Sequence, residues 1–174
     1  MNTKLKYLFS LALLVLLSYT QSAAQKFGYV DTGSILEAMP KVKEAESNLE
    51  ALSKQLQAKG QKMMEDFQLK YQELERKVQA GDITPKDQEA QAAILEEERN
   101  KIVQFDQDMQ NQLNEKRQAL LAPILEEVRS AIQGVAKDNG YTYVFDGSPG
   151  VGVLLYADET TNLTGLVKTK LAIQ

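Results

Sequence analysis

The side chains that most often carry out chemistry in proteins are absent or poorly placed in this sequence. It contains no histidine and no cysteine, which excludes histidine-assisted nucleophilic catalysis, thiol redox chemistry and the usual zinc sites. Glu96, Glu97 and Glu98 are of the residue type that holds a cation, but they lie in a Glu-, Lys- and Gln-rich stretch typical of a solvated helix face. We therefore predict no catalytic residue and no metal site, so the protein is not expected to be an enzyme.

One glycine-rich stretch superficially resembles a phosphate-binding loop. Residues 147–152 read GSPGVG, but they lack the lysine of a P-loop and join two apolar stretches instead of opening a helix. A β-turn is the better interpretation. With no nucleotide motif, any action on a partner is expected to be independent of ATP and to need no cofactor.

The first 24 residues have the organisation of an export signal. Two lysines precede a largely apolar run at 8–17, and small residues favour cleavage after Ala24. Export of a chain without cysteine favours the bacterial periplasm. Residues 25–174 then form a single domain with 18 basic and 24 acidic side chains, a net charge of −6. That balance argues against nucleic acid as a partner.

The long middle of the chain, residues 41–137, predicts two helices separated by one break. Apolar residues recur there at steps of three and four, among residues that favour helix. At residues 80–86, Gly81 suits the end of one helix, while Thr84 and Pro85 suit the cap and first position of the next. So short a connection is typical of antiparallel neighbours, which predicts a helical arm with its tip at this break.

The hairpin makes a prediction about which residues face each other. If the chain reverses near residues 82–83, facing residues have numbers that add up to about 165. Tyr71 is then expected opposite Ile94. Phe105 is expected opposite Gly60, so that a large side chain faces a residue without a side chain. That pairing explains why the apolar pattern lapses at Gly60.

The two flanks, residues 25–40 and 138–174, predict a small β body. Apolar, β-prone stretches at 26–31, 141–146 and 151–158 are interpreted as strands, and the last two are expected to be buried on both faces. A short helix ends at Ala38, and a final helix is expected to be capped by Thr160 or Thr161. A body this small has an incomplete core, and burial against other copies of the chain is the simplest remedy.

Apolar residues off the helical seam leave two interpretations open. Met64, Leu69 and Val103 are examples, and ordinary scattered exposure or contact with another copy would account for them. Alternatively, they form an adaptable surface for unfolded chains, helped by methionines whose flexible thioethers fit many shapes.

The sequence resembles the Skp (OmpH-like) family of periplasmic chaperones for outer-membrane proteins over nearly all of residues 25–174. The resemblance rests on the export signal, the opening FGYVDTGSIL, the hairpin broken at GDITP and the return AKDNGYTYVFDGSPGVGVLLYADETTNLTGLVKTKL. It implies an α+β, mostly helical fold: a small β body bearing a long antiparallel two-helix coiled-coil arm, assembled as a jellyfish-like homotrimer around a cavity. The implied activity is an ATP-independent holdase that captures unfolded outer-membrane proteins.

The resemblance and the helical periodicity together suggest candidate binding residues. On the arm, the expected client-binding residues are Met63, Met64, Phe67, Tyr71, Leu74, Val78, Ile94, Phe105 and Met109. In the body, the expected oligomerisation residues are Phe27, Tyr29, Val30, Val144, Phe145, Val153 and Leu155. The arm tip, Gly81, Thr84 and Pro85, is expected to be architectural.

One departure from the family concerns charge. Family members can be strongly basic, whereas this chain is acidic, and the nearest basic candidates are Arg76, Lys77 and Lys86 beside the tip. This disfavours lipopolysaccharide or membrane-surface contact and favours apolar capture. The main alternative is a structural or adaptor coiled coil of the cell envelope that binds one folded partner; a prefoldin-like cytosolic chaperone conflicts with the export signal.

Overall fold

The computed structural model describes residues 25–173 and consists of a small body that carries one long two-helix arm. Strand β1 (Phe27–Val30) and the short helix α1 (Thr32–Ala38) open the chain, and helices α2 (Pro40–Ala80) and α3 (Pro85–Asp138) form the arm. Strand β2 (Tyr143–Asp146), a 3-10 helix (Glu159–Thr161) and helix α4 (Thr164–Lys170) follow. This confirms the predicted mostly helical α+β class; the predicted export signal lies outside the described residues.

The arm tip has the local geometry that its sequence predicts. Gly81 adopts a left-handed conformation with φ of 69°, and its N–H donates to the last carbonyls of α2. The hydroxyl of Thr84 accepts a hydrogen bond from the backbone N–H of Asp87 at 3.2 Å, and Pro85 occupies the first position of α3. Local residue chemistry alone therefore ends one helix and starts the next.

The two helices of the arm run antiparallel and in contact. Near the base, Lys41 forms an ion pair with Glu127 at 2.6 Å. Farther out, a Cβ on Gly60 would lie 3.2 Å from the ring of Phe105, which confirms the predicted pairing of the large side chain with the glycine. Leu56, Leu95, Ile102 and Phe105 are buried between the helices.

The predicted partnership of Tyr71 with Ile94 is wrong by one residue. Leu95 is 8% exposed and lies in the seam, whereas Ile94 is 53% exposed on the surface. Both residues are large aliphatics, so the sequence pattern does not distinguish them. The choice depends on how α3 is rotated against α2.

The body holds the main hydrophobic core, at the base of the arm. β1 and β2 pair in parallel, with Phe27 opposite Tyr143 and Val30 opposite Asp146. Strands more than 100 residues apart in sequence thus meet, as the sequence predicts. The core combines side chains from β1, α1, the base of the arm and α4: Val30, Ile35, Met39, Ala45, Ile124, Val128, Ala131, Val135, Leu163 and Val167.

Hydrogen bonds around Asp146 join the end of β2 to the start of α1. Its carboxylate accepts from the hydroxyl of Thr32 at 2.6 Å and from the backbone N–H of Ser148 at 2.9 Å, and the hydroxyl of Ser148 accepts from the N–H of Gly33 at 3.0 Å. Burial would raise the pKa of the Asp146 carboxyl, but the hydrogen bonds from Ser148 and Thr32 outweigh it and hold the pKa below its ordinary value. The ionised carboxylate thus fastens the turn after β2 to the start of α1.

Three predictions about the end of the chain are wrong. The strand within 141–146 is not buried on both faces, since Tyr143 and Phe145 are exposed. Residues 151–158 form no strand and are mostly exposed, and the sheet of the described residues contains only β1 and β2. The final helix begins at Thr164 instead of directly after Thr160 or Thr161. Asp158 caps a separate 3-10 turn at that point, and the side chain of Asn162 accepts from the N–H of Thr164 at 3.0 Å.

The close packing of β1 predicts a large effect of one added methyl group. A Cβ on Gly28 would lie 2.8 Å from the ring of Tyr141 and 3.0 Å from Leu163, so we expect Gly28→Ala to lower the free energy of unfolding by about 1–3 kcal/mol. Urea denaturation measures this change. Gly165→Ala is the matched control, because nothing lies within 4 Å of a Cβ there and the residue is helical; a stability gain of about 0.5–1 kcal/mol is expected. Equal midpoints for both variants would contradict the prediction.

Candidate functional site

Exposed apolar surface is the main feature that residues 25–173 offer for a function. No group of three or more acidic side chains among them is arranged to hold a metal ion. In the same residues, no helix is both long and apolar enough to cross a membrane. The exposed large apolar side chains instead gather in two places, on the arm and on the body.

On the arm, α2 and α3 border an open groove with a volume of about 540 Å³. We call it the arm groove. Its lining is mostly apolar and comes from both helices: Met64, Phe67, Tyr71, Leu74, Ala92, Leu95, Glu96, Arg99, Ile102, Val103 and Asp106. Its volume lies in the range of ordinary ligand sites, but it is a trough along the arm, not an enclosed cavity.

The α2 side of the arm groove is entirely apolar. Met64, Phe67, Tyr71 and Leu74 follow each other at steps of three, four and three residues, which places them in one row along the helix. The rings of Phe67 and Tyr71 lie 6.3 Å apart, centre to centre, and are tilted by 31°. Met64 and Tyr71 are about half exposed, so this row presents aromatic and thioether surface to solvent.

The floor and the α3 side differ from that row. Leu95 and Ile102 are buried and form the apolar floor, while Val103 is exposed beside them. The α3 edge also carries Glu96, Arg99 and Asp106. The arm groove therefore has one apolar side and one charged edge.

The opposite face of the arm is more polar. A smaller groove of about 200 Å³ there is lined by Met63, Asp66, Lys70, Glu98, Lys101 and Ile102. An ion pair between Lys70 and Glu98 crosses from α2 to α3 on this face. The two faces of the arm thus differ in character, and only one of them offers a continuous apolar surface.

The structure places only some of the predicted arm residues in the arm groove. Met64, Phe67, Tyr71 and Leu74 line the arm groove, whereas Met63 lies on the opposite face, and Val78 and Ile94 are exposed outside the groove. Phe105 is buried against Gly60 and supports the arm from within; Met109 is half-buried.

The predicted client-binding residues include none of the α3 residues that line the arm groove. Ala92, Leu95, Arg99, Ile102, Val103 and Asp106 are spaced at helical intervals that place them on one face. Of these, Val103 is one of the apolar residues that the sequence places off the helical seam. Assigning Ile94 to that seam placed the face of α3 one residue away.

The basic residues near the tip are largely neutralised. Arg76 binds Glu73 at 2.9 Å and Lys77 lies 3.6 Å from the same carboxylate. The hydrogen bond from Arg76, with the added charge of Lys77, lowers the pKa of Glu73 to about 2. Two of the three candidate cations for an anionic surface therefore already have an acidic partner.

On the body, one face of the two-stranded sheet is exposed and aromatic. The ring of Phe27 stacks on Tyr143 at 5.6 Å and on Phe145 at 6.2 Å, and all three rings are exposed to solvent. Val30 lies on the other face, 2% exposed, inside the core of its own chain. Tyr29 and Val144 are partly buried.

The segment 151–156 adds a second apolar surface to the body. Leu155 is 100% exposed and Tyr156 is 86% exposed, while Val151 and Val153 are about half exposed. We call this segment the apolar loop. An unpaired apolar stretch next to an aromatic sheet face is typical of a surface that another chain covers.

A long two-helix arm extends from a small parallel-sheet body, and both carry exposed apolar surface. The model of the family "Outer membrane protein (OmpH-like)" matches residues 26–171. The chain belongs to the OmpH-like family.

A solved structure has the same fold. It is the crystal structure of an OmpH-like protein from Caulobacter crescentus CB15. That protein is described as a candidate outer membrane chaperone. The two chains superpose with a TM-score of 0.72 at 18% sequence identity, over 88% of this chain and 89% of the other. The comparison with curated proteins finds no match.

Proposed function

We propose that the protein is an ATP-independent periplasmic holdase that binds unfolded outer-membrane proteins and prevents their aggregation. The observation that carries this proposal is the arm groove, an exposed apolar trough on a chain of a chaperone family. Aromatic and methionine side chains bind apolar segments of varied shape without a fitted pocket. The organisation of residues 1–24 as an export signal supports the periplasm as its location.

The working unit of this proposal is a homotrimer built on the body. A two-stranded sheet is marginal alone in water. β2 has β1 on one side and, within residues 25–173, no strand on the other. In the trimer, the stacked rings of Phe27, Tyr143 and Phe145 and the apolar loop of each copy are covered by neighbouring copies. The arms then surround a common cavity, and each contributes one arm groove.

The proposal predicts that the purified protein keeps an unfolded β-barrel protein soluble without ATP. When such a client is diluted from urea, light scattering is expected to fall to near zero at about one trimer per client, because apolar segments bind the arms faster than each other. The same client diluted with an equal mass of a folded, unrelated coiled coil serves as control. Undiminished aggregation at several-fold molar excess would contradict a holdase.

Crosslinking separates the holdase from the adaptor alternative. A holdase is expected to capture many different unfolded β-barrel clients, whereas an adaptor would yield one folded partner in fixed stoichiometry. Recovery of a single folded partner, together with no suppression of aggregation, would favour the adaptor.

A further inference from the structure

We propose that the arm groove binds short extended segments in which apolar side chains alternate with polar ones, and that it prefers basic over acidic side chains at the polar positions. This inference rests on the proposed function and names what the groove selects in an unfolded client. It is drawn from the length, the openness and the charged edge of the groove.

The length of the apolar row matches a short strand. Met64 and Leu74 are ten residues apart on α2, which corresponds to about 15 Å along a helix at about 1.5 Å per residue. An extended chain rises by about 3.3 Å per residue, so about five residues span the row. Three of their side chains, at alternate positions, then point to the same side and contact the row together.

The openness of the groove favours an alternating pattern. The floor residues Leu95 and Ile102 are buried and the α2 row stands beside them, while the top of the trough is open to water. A bound segment therefore buries one face and leaves the other in solvent. Alternation satisfies both faces of an extended segment, whereas a continuously apolar segment leaves half of its side chains in water.

A helical occupant fits less well. A helix lying along the same row has only about ten residues in contact with it, which is below the length at which isolated helices are stable in water. The free energy of binding to so short a row must offset the cost of forming the helix before any net binding remains. An extended segment has no such nucleation requirement.

The charged edge gives the preference for basic residues. Arg99 lies 3.7 Å from Glu96, so these two largely compensate each other. Asp106, on the same edge, forms no ion pair among the described residues. A basic side chain on the solvent-facing side of a bound segment is attracted to this carboxylate, and an acidic one is repelled. Exposed pairs are individually weak, so two such positions together are expected to change affinity by about tenfold.

The test uses the purified protein and three fluorescein-labelled nine-residue peptides. The first alternates valine and tyrosine with lysine and threonine, the second has glutamate in place of lysine, and the third has the composition of the first with its apolar residues in one block. Fluorescence anisotropy at low salt is expected to show about tenfold tighter binding of the first peptide than of the second. The third is expected to bind at least several-fold more weakly than the first.

Variants connect the preference to the groove edge. Asp106→Asn is expected to reduce the ratio between the lysine and glutamate peptides by about threefold or more. Asp108→Asn, a change of the same type at an exposed residue outside the groove lining, is expected to leave the ratio unchanged. Equal binding of all three peptides, or a ratio insensitive to Asp106→Asn, would each overturn the inference.

Failure of this inference is distinguishable from failure of the proposed function. Suppression of client aggregation is measured with the same protein samples. Suppression without peptide preference overturns only the inference about alternation and charge. If the protein shows neither suppression of aggregation nor a peptide preference, the proposed holdase function is overturned as well.

Discussion

Replacing Leu155 with glutamate is expected to convert the proposed trimer into monomers with about one third of the wild-type mass. Leu155 is fully exposed in the single chain, so the substitution removes no contact within that chain. Burial of a leucine side chain contributes about 1.5–3 kcal/mol, and a trimer contains three copies, so about 5–9 kcal/mol of assembly free energy is lost. Each buried glutamate adds a desolvation penalty. Light scattering coupled to size-exclusion chromatography measures the mass.

Leu69→Glu is the matched control for this experiment. Leu69 is also an exposed leucine, but it lies on the arm and outside the groove lining, so the mass is expected to stay at that of the wild type. Circular dichroism of the Leu155→Glu variant is expected to show unchanged helix content. A wild-type protein that is already monomeric would contradict the assembly. A Leu155→Glu variant of wild-type mass would exclude the apolar loop from the interface.

The features of the fold that the sequence predicts well depend on neighbouring residues. Gly81, Thr84 and Pro85 end and start helices through their own backbone preferences and hydrogen bonds, so the tip is predicted to the residue. The pairing of Phe105 with Gly60 is also predictable, because an antiparallel hairpin with a known turn leaves little freedom in register. The distance along each helix from the tip decides which residues meet.

The features that the sequence predicts poorly depend on contacts with residues that are distant in the sequence. Ile94 and Leu95 are chemically similar neighbours, and only the rotation of α3 against α2 decides which is buried. That one-residue difference also hid the α3 side of the arm groove. Residues 151–158 have strand-like composition, but a strand needs a partner, and the sheet within residues 25–173 does not extend to them. Composition therefore indicates what this segment favours, while its pairing depends on what lies beside it.

The two apolar surfaces have different consequences for solubility. The body surface is compact, with stacked rings and a fully exposed loop, and its permanent exposure would favour aggregation. The arm groove is bordered by Glu96, Arg99 and Asp106, and the opposite face carries the Lys70–Glu98 pair. Charges next to apolar residues keep such a surface soluble while leaving it available for the proposed binding of clients. This difference supports assembly through the body and client binding through the arm.

Placing charges in the arm groove is expected to abolish most holdase activity while leaving the assembly intact. In the double variant Tyr71→Glu/Val103→Glu, one substitution lies on each side of the groove, at residues that are about half exposed. Surface substitutions of this kind usually change stability by no more than about 0.5 kcal/mol each. Each side chain, when covered by a client, contributes about 1–2 kcal/mol, so together they correspond to a loss of affinity of at least about thirtyfold. The concentration of protein that halves client aggregation is expected to rise accordingly.

A control variant with the same number of added charges separates an effect of the groove from an effect of charge. Leu69→Glu/Leu125→Glu places two glutamates on α2 and α3 at exposed leucines that do not line the arm groove. This control is expected to suppress aggregation within about twofold of the wild type, since the same net charge is added away from the groove. If both double variants lost activity equally, added negative charge alone would explain the loss. If neither lost activity, clients would be held by a surface other than the arm groove, because a groove that binds through apolar contact does not tolerate a carboxylate on each of its sides.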